Sequence, residues 1–273
     1  MIAYRYRRVP NTMPARHPLI AVFIAVVLTA CATSPTGRSQ FLVVSEQSAI
    51  AASRQAYTEM LNPLAAENRL NTDPALNKRV GPITDRIIAQ AIVMRPETRS
   101  WDWNLMVIDD PETVNAWAMA GGKMALYTGL VRKLKPTDAE LAQVLAHEIA
   151  HALAKHSAEK MSVAAATNVG VQTVGVATGS PVAMQGTSLL AALALSLPNS
   201  RTMESEADQI GIELAAKAGY DPNAAVSLWA KMAQLGGSGQ LEFLSTHPAP
   251  ATRQQQLKAL VPKMMPYYEN ARR

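Results

Sequence analysis

A mainly helical α+β fold with one small β-sheet is predicted for this 273-residue chain by three observations. Helix N-cap signals recur ahead of long apolar-periodic runs, so helices dominate. Between them, two short β-prone runs meet at Gly121-Gly122 and an alternating run precedes them, enough for a single sheet. One of the capped helices carries His147-Glu148-Ile149-Ala150-His151, a spacing that specifies a chemistry as well as a helix.

Read from the N-terminus, residues 1–30 form a lipoprotein signal peptide. Arg5, Arg7, Arg8 and Arg16 make a basic stretch without an acid, and Pro18 to Ala30 is an apolar run too short for a comfortable membrane span. The sequence Leu28-Thr29-Ala30-Cys31 resembles a bacterial lipobox, which implies cleavage before Cys31 and lipid on that residue. As the sole cysteine, Cys31 has no disulfide partner within the chain. Ala32 follows it where an Asp is absent, and resemblance to sorted lipoproteins then implies the outer membrane, with the protein facing the periplasm. Loss of the leader removes four arginines and leaves 22 basic against 21 acidic residues, so the basic balance of the whole chain is largely that of the leader. No basic stripe with interleaved aromatics remains, and nucleic acid is not expected as a partner. Residues 31–44 are expected to be a lipidated linker and residues 45–273 one domain.

Within that domain the elements follow in order. A helix is expected from Ser45 to about Asn68, and Thr72-Asp73-Pro74, an N-cap with Pro in the first turn, opens another towards Ile92. Trp101 to Ile108 alternates as a strand; Asn115 to Ala120 and Lys123 to Tyr127 form a hairpin around the glycine pair. Arg132, Lys133 and Lys135 read as a solvated helix end. Thr137-Asp138-Ala139-Glu140 is a capping box that starts the helix bearing the histidines, with Leu141, Val144, Leu145 and Ile149 in its apolar stripe. Residues 161–200 hold no charged side chain, and are expected as a small-residue helical hairpin or mobile loop beside the cleft, with a peripheral dip into the membrane as the alternative. Asp221-Pro222 starts a helix to about Leu235, closed by Gly236-Gly237. There is no internal repeat.

The chemistry begins with helical geometry. Positions i and i+4 share a face, so His147 and His151 present two imidazoles to one point. Glu148 lies about 100° around the helix, placed to take a proton from water without ligating a metal. Glu204 and Asp208 are again i and i+4; one carboxylate can complete a three-ligand zinc site and the other can accept a ligand histidine's second ring N–H. His156 is five residues past His151, out of register, and reads as a solvated or supporting residue and not as a ligand.

HEIAH, the string SRTMESEAD from Ser200 to Asp208, the Asn115-Ala116-Trp117 strand before Gly-Gly, and Thr246-His247-Pro248 with Arg253 five residues on resemble the M48 peptidases, a family of glutamate zincins, over about Val44 to Arg253. The departure is Ala120, where that family commonly has Pro. The resemblance implies a zincin-like metallopeptidase domain with one Zn²⁺ on His147, His151 and Glu204, Glu148 as general base, and Asp208 orienting a ligand. Asn115, Ala116 and Trp117 would pair with extended substrate backbone. His247 or Arg253 would stabilise the oxyanion; alternatively His247 caps the zinc, the reading preferred here. By the same resemblance the protein is a periplasmic lipoprotein-type endopeptidase. It would cleave misfolded or stalled envelope and outer-membrane proteins, with the outer-membrane assembly machinery as a further partner. Its rivals are a chaperone-like assembly lipoprotein with a structural zinc, and a lipoprotein whose role is chiefly interaction.

Overall fold

A computed structural model describes residues 31–178, 194–236, 242–248 and 252–273. The expected leader, residues 179–193 of the uncharged stretch and most of the glycine-rich segment after Leu235 lie outside the described residues. Among the described residues no helix is long and apolar enough to cross a membrane.

The segment expected as a linker holds a hairpin: β1 (Cys31–Thr33) pairs antiparallel with β2 (Ser39–Phe41), and Ser34 and Gln40 are buried against the domain. Helix α1 (Glu46–Ala66) is capped by Ser45, whose side chain accepts from the Ser48 amide. Helix α2 (Pro74–Met94) is capped by Asp73, which accepts from Leu76 N, with Pro in its first turn. Both starts fall where the sequence places them, because capping is a contact of three residues' reach.

The small sheet has β5 (Lys123–Tyr127) at its centre, parallel to β3 (Asn104–Ile108) and antiparallel to β4 (Ala116–Met119). Strand β4 is therefore an edge. The hairpin bend uses Gly121 and Gly122 at φ of 82° and 81°. Only glycine is at ease there, and a Cβ on Gly122 would also lie 2.6 Å from the Trp103 ring. The exposed Arg132, Lys133 and Lys135 do mark a helix end: α3 (Thr128–Leu134) stops at Lys135, which lies in the left-handed region.

Helix α4 (Asp138–Leu153) has the full capping box: Thr137 accepts from Glu140 N, and the Glu140 side chain accepts from Thr137 N. Every residue from Glu140 to Leu153 is buried, which its alanines allow by letting neighbours close in on all sides. Helix α5 (His156–Thr178) follows, so the uncharged stretch is helical from 161 to 178, and its described end, 197–200, is irregular. Helix α6 (Arg201–Lys217) is capped by Ser200. The chain ends with α7 (Asn223–Gly236), α8 (Glu242–Thr246) and α9 (Arg253–Ala271).

The main packing contact is α6 against α4. A Cβ built on Gly211 would lie 3.0 Å from both N and Cα of His147. The missing side chain lets the two helix backbones meet at the first histidine. Replacing Gly211 by Val should push the helices apart and destabilise the protein by about 1–3 kcal/mol, the usual cost of overpacking. Denaturant unfolding measures this, and a midpoint unchanged from wild type would show that the crossing has slack.

Candidate metal centre

The crossing of α4 and α6 brings the sequence-predicted residues together. His147 Nε2 is 3.3 Å from Glu204 Oε2, and His151 Nε2 is 3.3 Å from Glu204 Oε1. The two Nε2 atoms are 3.1 Å apart. Ligand atoms of His147, His151, Glu204 and His247 all lie within 4.8 Å of one another, and all four side chains are buried. Glu148 is outside that set. It lines the adjacent cleft with Oε1 3.4 Å from His247 Nε2, and that oxygen has no hydrogen-bond partner among the described residues.

What each ring nitrogen faces outside the cluster decides what its partner presents inside. His147 Nδ1 is 3.1 Å from Asp208 Oδ1. That oxygen also receives Arg253 at 2.6 Å, so it acts as an acceptor, the ring proton belongs on Nδ1, and Nε2 turns a lone pair inward. His247 Nδ1 lies 3.1 Å from the Phe243 carbonyl oxygen and 2.9 Å from the Thr246 hydroxyl, and its Nε2 faces the cluster, 3.4 Å from Glu148 Oε1. With His147 neutral in that tautomer, its Nε2 lone pair faces a carboxylate oxygen of Glu204, with Arg253 Nη2 also 3.4 Å from that nitrogen. Such a pair is repulsive without a cation, and two or three imidazoles with one carboxylate are the ligands zinc takes. The residues fit the metal.

A proton can answer part of the same demand. Burial pulls His147 down, but its hydrogen bonds to Asp208 and Glu204 prevail and raise it to about 9. Burial pushes His151 well below the ordinary histidine value despite its bond to Glu204. Burial would raise Glu204; the hydrogen bonds from His147 and His151 instead hold it far below the usual carboxylate range.

Arg253 has a place the sequence did not give it. Only 2% exposed, it donates to Glu204 Oε2 at 2.9 Å and to Asp208 Oδ1 at 2.6 Å, and its guanidinium stacks 3.5 Å from the Trp229 ring centre. It does not line the cleft. Asn199 Nδ2 donates to Glu204 Oε1 at 2.8 Å, a contact with no local sequence signal. His156 is 1% exposed with Nδ1 2.7 Å from His151 Nδ1, so of its two readings the solvated one fails and the supporting one fits.

A cleft of about 290 Å³ opens beside the cluster, with Glu148, His151, His247, Asn115, Trp117 and Met60 in its wall. Its rim includes the free edge of β4. Ala116 N–H is met by Asn115 Oδ1 at 2.9 Å, and Asn115 Nδ2 donates to Glu242 Oε1 at 3.3 Å, which ties the edge to α8. Trp117 packs edge-on against Tyr57 with ring centres 5.8 Å apart. Of the three residues expected on the substrate strand, Asn115 and Trp117 face the cleft wall, while Ala116 opens the strand.

Comparison with known proteins gives a consistent picture. The family profile described as Peptidase family M48 matches residues 74–261. The mitochondrial metalloendopeptidase OMA1 of Schizosaccharomyces pombe is 42% identical over 163 residues, covering 59% of this chain and 47% of the relative. The beta-barrel assembly-enhancing protease of Yersinia pestis is 31% identical over 205 residues, covering 71% of this chain and 41% of the relative. Metalloprotease LoiP of Escherichia coli strain K12 is 28% identical over 257 residues, covering 90% of this chain and 96% of the relative. The chain spans half or less of the OMA1 relatives from plant, yeasts and cattle.

Glu204→Ala and Asp208→Ala should differ in kind. Loss of Glu204 should leave the purified protein with little zinc, whereas loss of Asp208 should retain it at about 10–100-fold lower affinity. Metal analysis and chelator competition decide, and stoichiometric zinc in Glu204→Ala would remove Glu204 from the ligands.

Proposed function

The chain belongs to peptidase family M48, and from that premise we propose that it is a zinc-dependent endopeptidase of the bacterial cell envelope. The observation that carries the reading is Glu148: buried, on the cleft wall, beside the converging ligands and not one of them. A Zn²⁺ held by His147, His151 and Glu204 would supply Lewis acidity to both the scissile carbonyl and the attacking water. Glu148 takes the proton of that water and hands it to the leaving amine. Asp208 and Arg253 keep the ligand side chains in orientation. The closed structural-zinc alternative gives no role to a carboxylate held free in the cleft.

Substrate backbone would be taken up as an added strand on β4, whose outer edge is unpaired among the described residues. Main-chain recognition reads exposed extended chain more than side-chain identity. This suits misfolded or stalled envelope and outer-membrane proteins as substrates, and the apolar Met60 and Trp117 in the cleft wall suit their exposed side chains. Lipid on Cys31 would hold the protein at the outer membrane, facing the periplasm, within reach of the outer-membrane assembly machinery.

His247 is read as a cap. Its Nε2 lies within 4.8 Å of the other ligand atoms and next to Glu148, where an attacking water must enter. Its segment is tied to the β4 edge through Phe243 N to Val114 O at 3.1 Å as well as through Asn115. A substrate strand docking on β4 therefore acts on the element that carries the cap. Arg253, committed to Glu204 and Asp208, is not left free to serve the oxyanion.

Glu148→Gln should keep zinc and fold but cleave unfolded protein at least ~100-fold more slowly, the scale of lost general-base catalysis; wild-type turnover in zinc-loaded Glu148→Gln would refute the mechanism. His247→Ala should raise proteolysis of casein, and chelation should abolish it. A fall of about 10²-fold in His247→Ala would assign His247 to the oxyanion instead.

A further inference from the structure

His147 has its outer nitrogen set directly by Asp208, but among the described residues the outer nitrogen of His151 meets an imidazole and not a carboxylate. Its Nδ1 meets His156 Nδ1 at 2.7 Å, and that contact has room for one proton. The other nitrogen of His156, Nε2, is 3.1 Å from Glu206 Oε2. Glu206 is itself 4% exposed and already accepts from Arg38 Nε at 2.8 Å and from the Thr36 hydroxyl. A carboxylate so placed accepts from His156 Nε2–H, which leaves His156 Nδ1 bare. His151 must then donate through Nδ1, and its Nε2 lone pair is turned towards the ligand point. Were the polarity reversed, His151 would present an N–H to the point where a metal ligand is needed.

The hydrogen bonds run on into the N-terminal hairpin. Arg38 makes a two-pronged bond to Glu159 at 2.8 and 2.7 Å, and Gln40 Nε2 donates both to Glu159 at 2.9 Å and to the carbonyl of Ala154, just past the end of α4, at 2.6 Å. Arg38 thus lies 20% exposed over a row of buried groups that ends at a metal ligand. Two residues before Glu206, Glu204 faces the ligands. Two positions on a helix are about 200° apart, so Glu206 looks the other way, towards the hairpin.

We propose that the N-terminal hairpin is part of the metal centre: Arg38 and Glu206 orient His156, and His156 fixes the tautomer and ring position of His151. His156, Glu206 and Arg38 are positioning residues, and the role rests on the zinc reading of the site. A metal ligand's outer hydrogen bond is typically worth 10–100-fold in metal affinity. Here that bond reaches its carboxylate through an intervening imidazole.

The test uses the full chain loaded with zinc or cobalt, with zinc affinity from chelator competition and the visible absorption bands of the cobalt form as readouts. His156→Phe, which keeps the volume and loses both nitrogens, should weaken zinc by about 10–100-fold and alter the cobalt bands. His156→Gln should recover most of the affinity, because its amide can donate to Glu206 and offer an oxygen to His151. Arg38→Met should weaken zinc by about tenfold, and Arg38→Lys should restore part of this. Glu159→Gln, which loosens the hairpin without touching Glu206, should lower thermal stability and leave zinc affinity unchanged. If Arg38→Met and His156→Phe lose stability alone, with wild-type affinity and cobalt spectra, the hairpin is a brace and the proposal is overturned. A wild type that binds no zinc would instead remove the metal centre itself, and the relay with it.

Discussion

The structure depends on charge held out of water. Glu204, Asp208 and Arg253 are 1%, 8% and 2% exposed, and two imidazoles lie among them. Isolated, each ion would cost several kcal/mol to bury, and removal of one partner of such a set typically costs about 3–5 kcal/mol. The cluster persists because each group meets its opposite: Arg253 bridges both carboxylates, Asn199 takes a further oxygen of Glu204, and the histidines fill the remaining side. This demand for partners from three separate segments dictates how the surrounding helices must meet.

That meeting is steric as much as electrostatic. Helix α4 is buried all round and carries alanine where larger side chains would hold its neighbours off, and α6 meets its backbone at Gly211. A larger side chain at Gly211 would widen the crossing at His147 and move Glu204 relative to the two histidines. The stiffness that follows suits a site whose ligands must be in place before the metal arrives.

The opposite wall of the cleft is built differently. His247 directly follows a short helix joined to the rest by Phe243 N to Val114 O and by Asn199 N to Thr246 O, and its ring stacks on Phe243 at 4.2 Å. Those hydrogen bonds and the buried Phe243 ring, packed near Trp229, hold it, where α4 is buried from Glu140 to Leu153. On the proposed reading, the wall built on α4 and α6 would carry ligands and base, and the other wall the group that would block them. Strand β4 joins the two, since it borders the cleft and Asn115, just before its first residue, binds α8.

Much of this was legible in the chain because it is local. The caps at Ser45, Asp73, Thr137 and Ser200, the paired positions His147–His151 and Glu204–Asp208, and the glycine bend at 121 and 122 are contacts over two to four residues, and residue order alone determines them. Resemblance joined those pieces into one site. What the order of residues did not determine is which way each nitrogen points and what stands behind it. Arg253 as a brace, Asn199 on Glu204, and the hairpin from Arg38 through Glu206 to His156 join residues up to 168 positions apart. An arginine reads the same in a solvated linker as in a buried ion pair. Only the packing that removes water from Glu206 and Glu204 makes the difference, and that packing belongs to the tertiary structure.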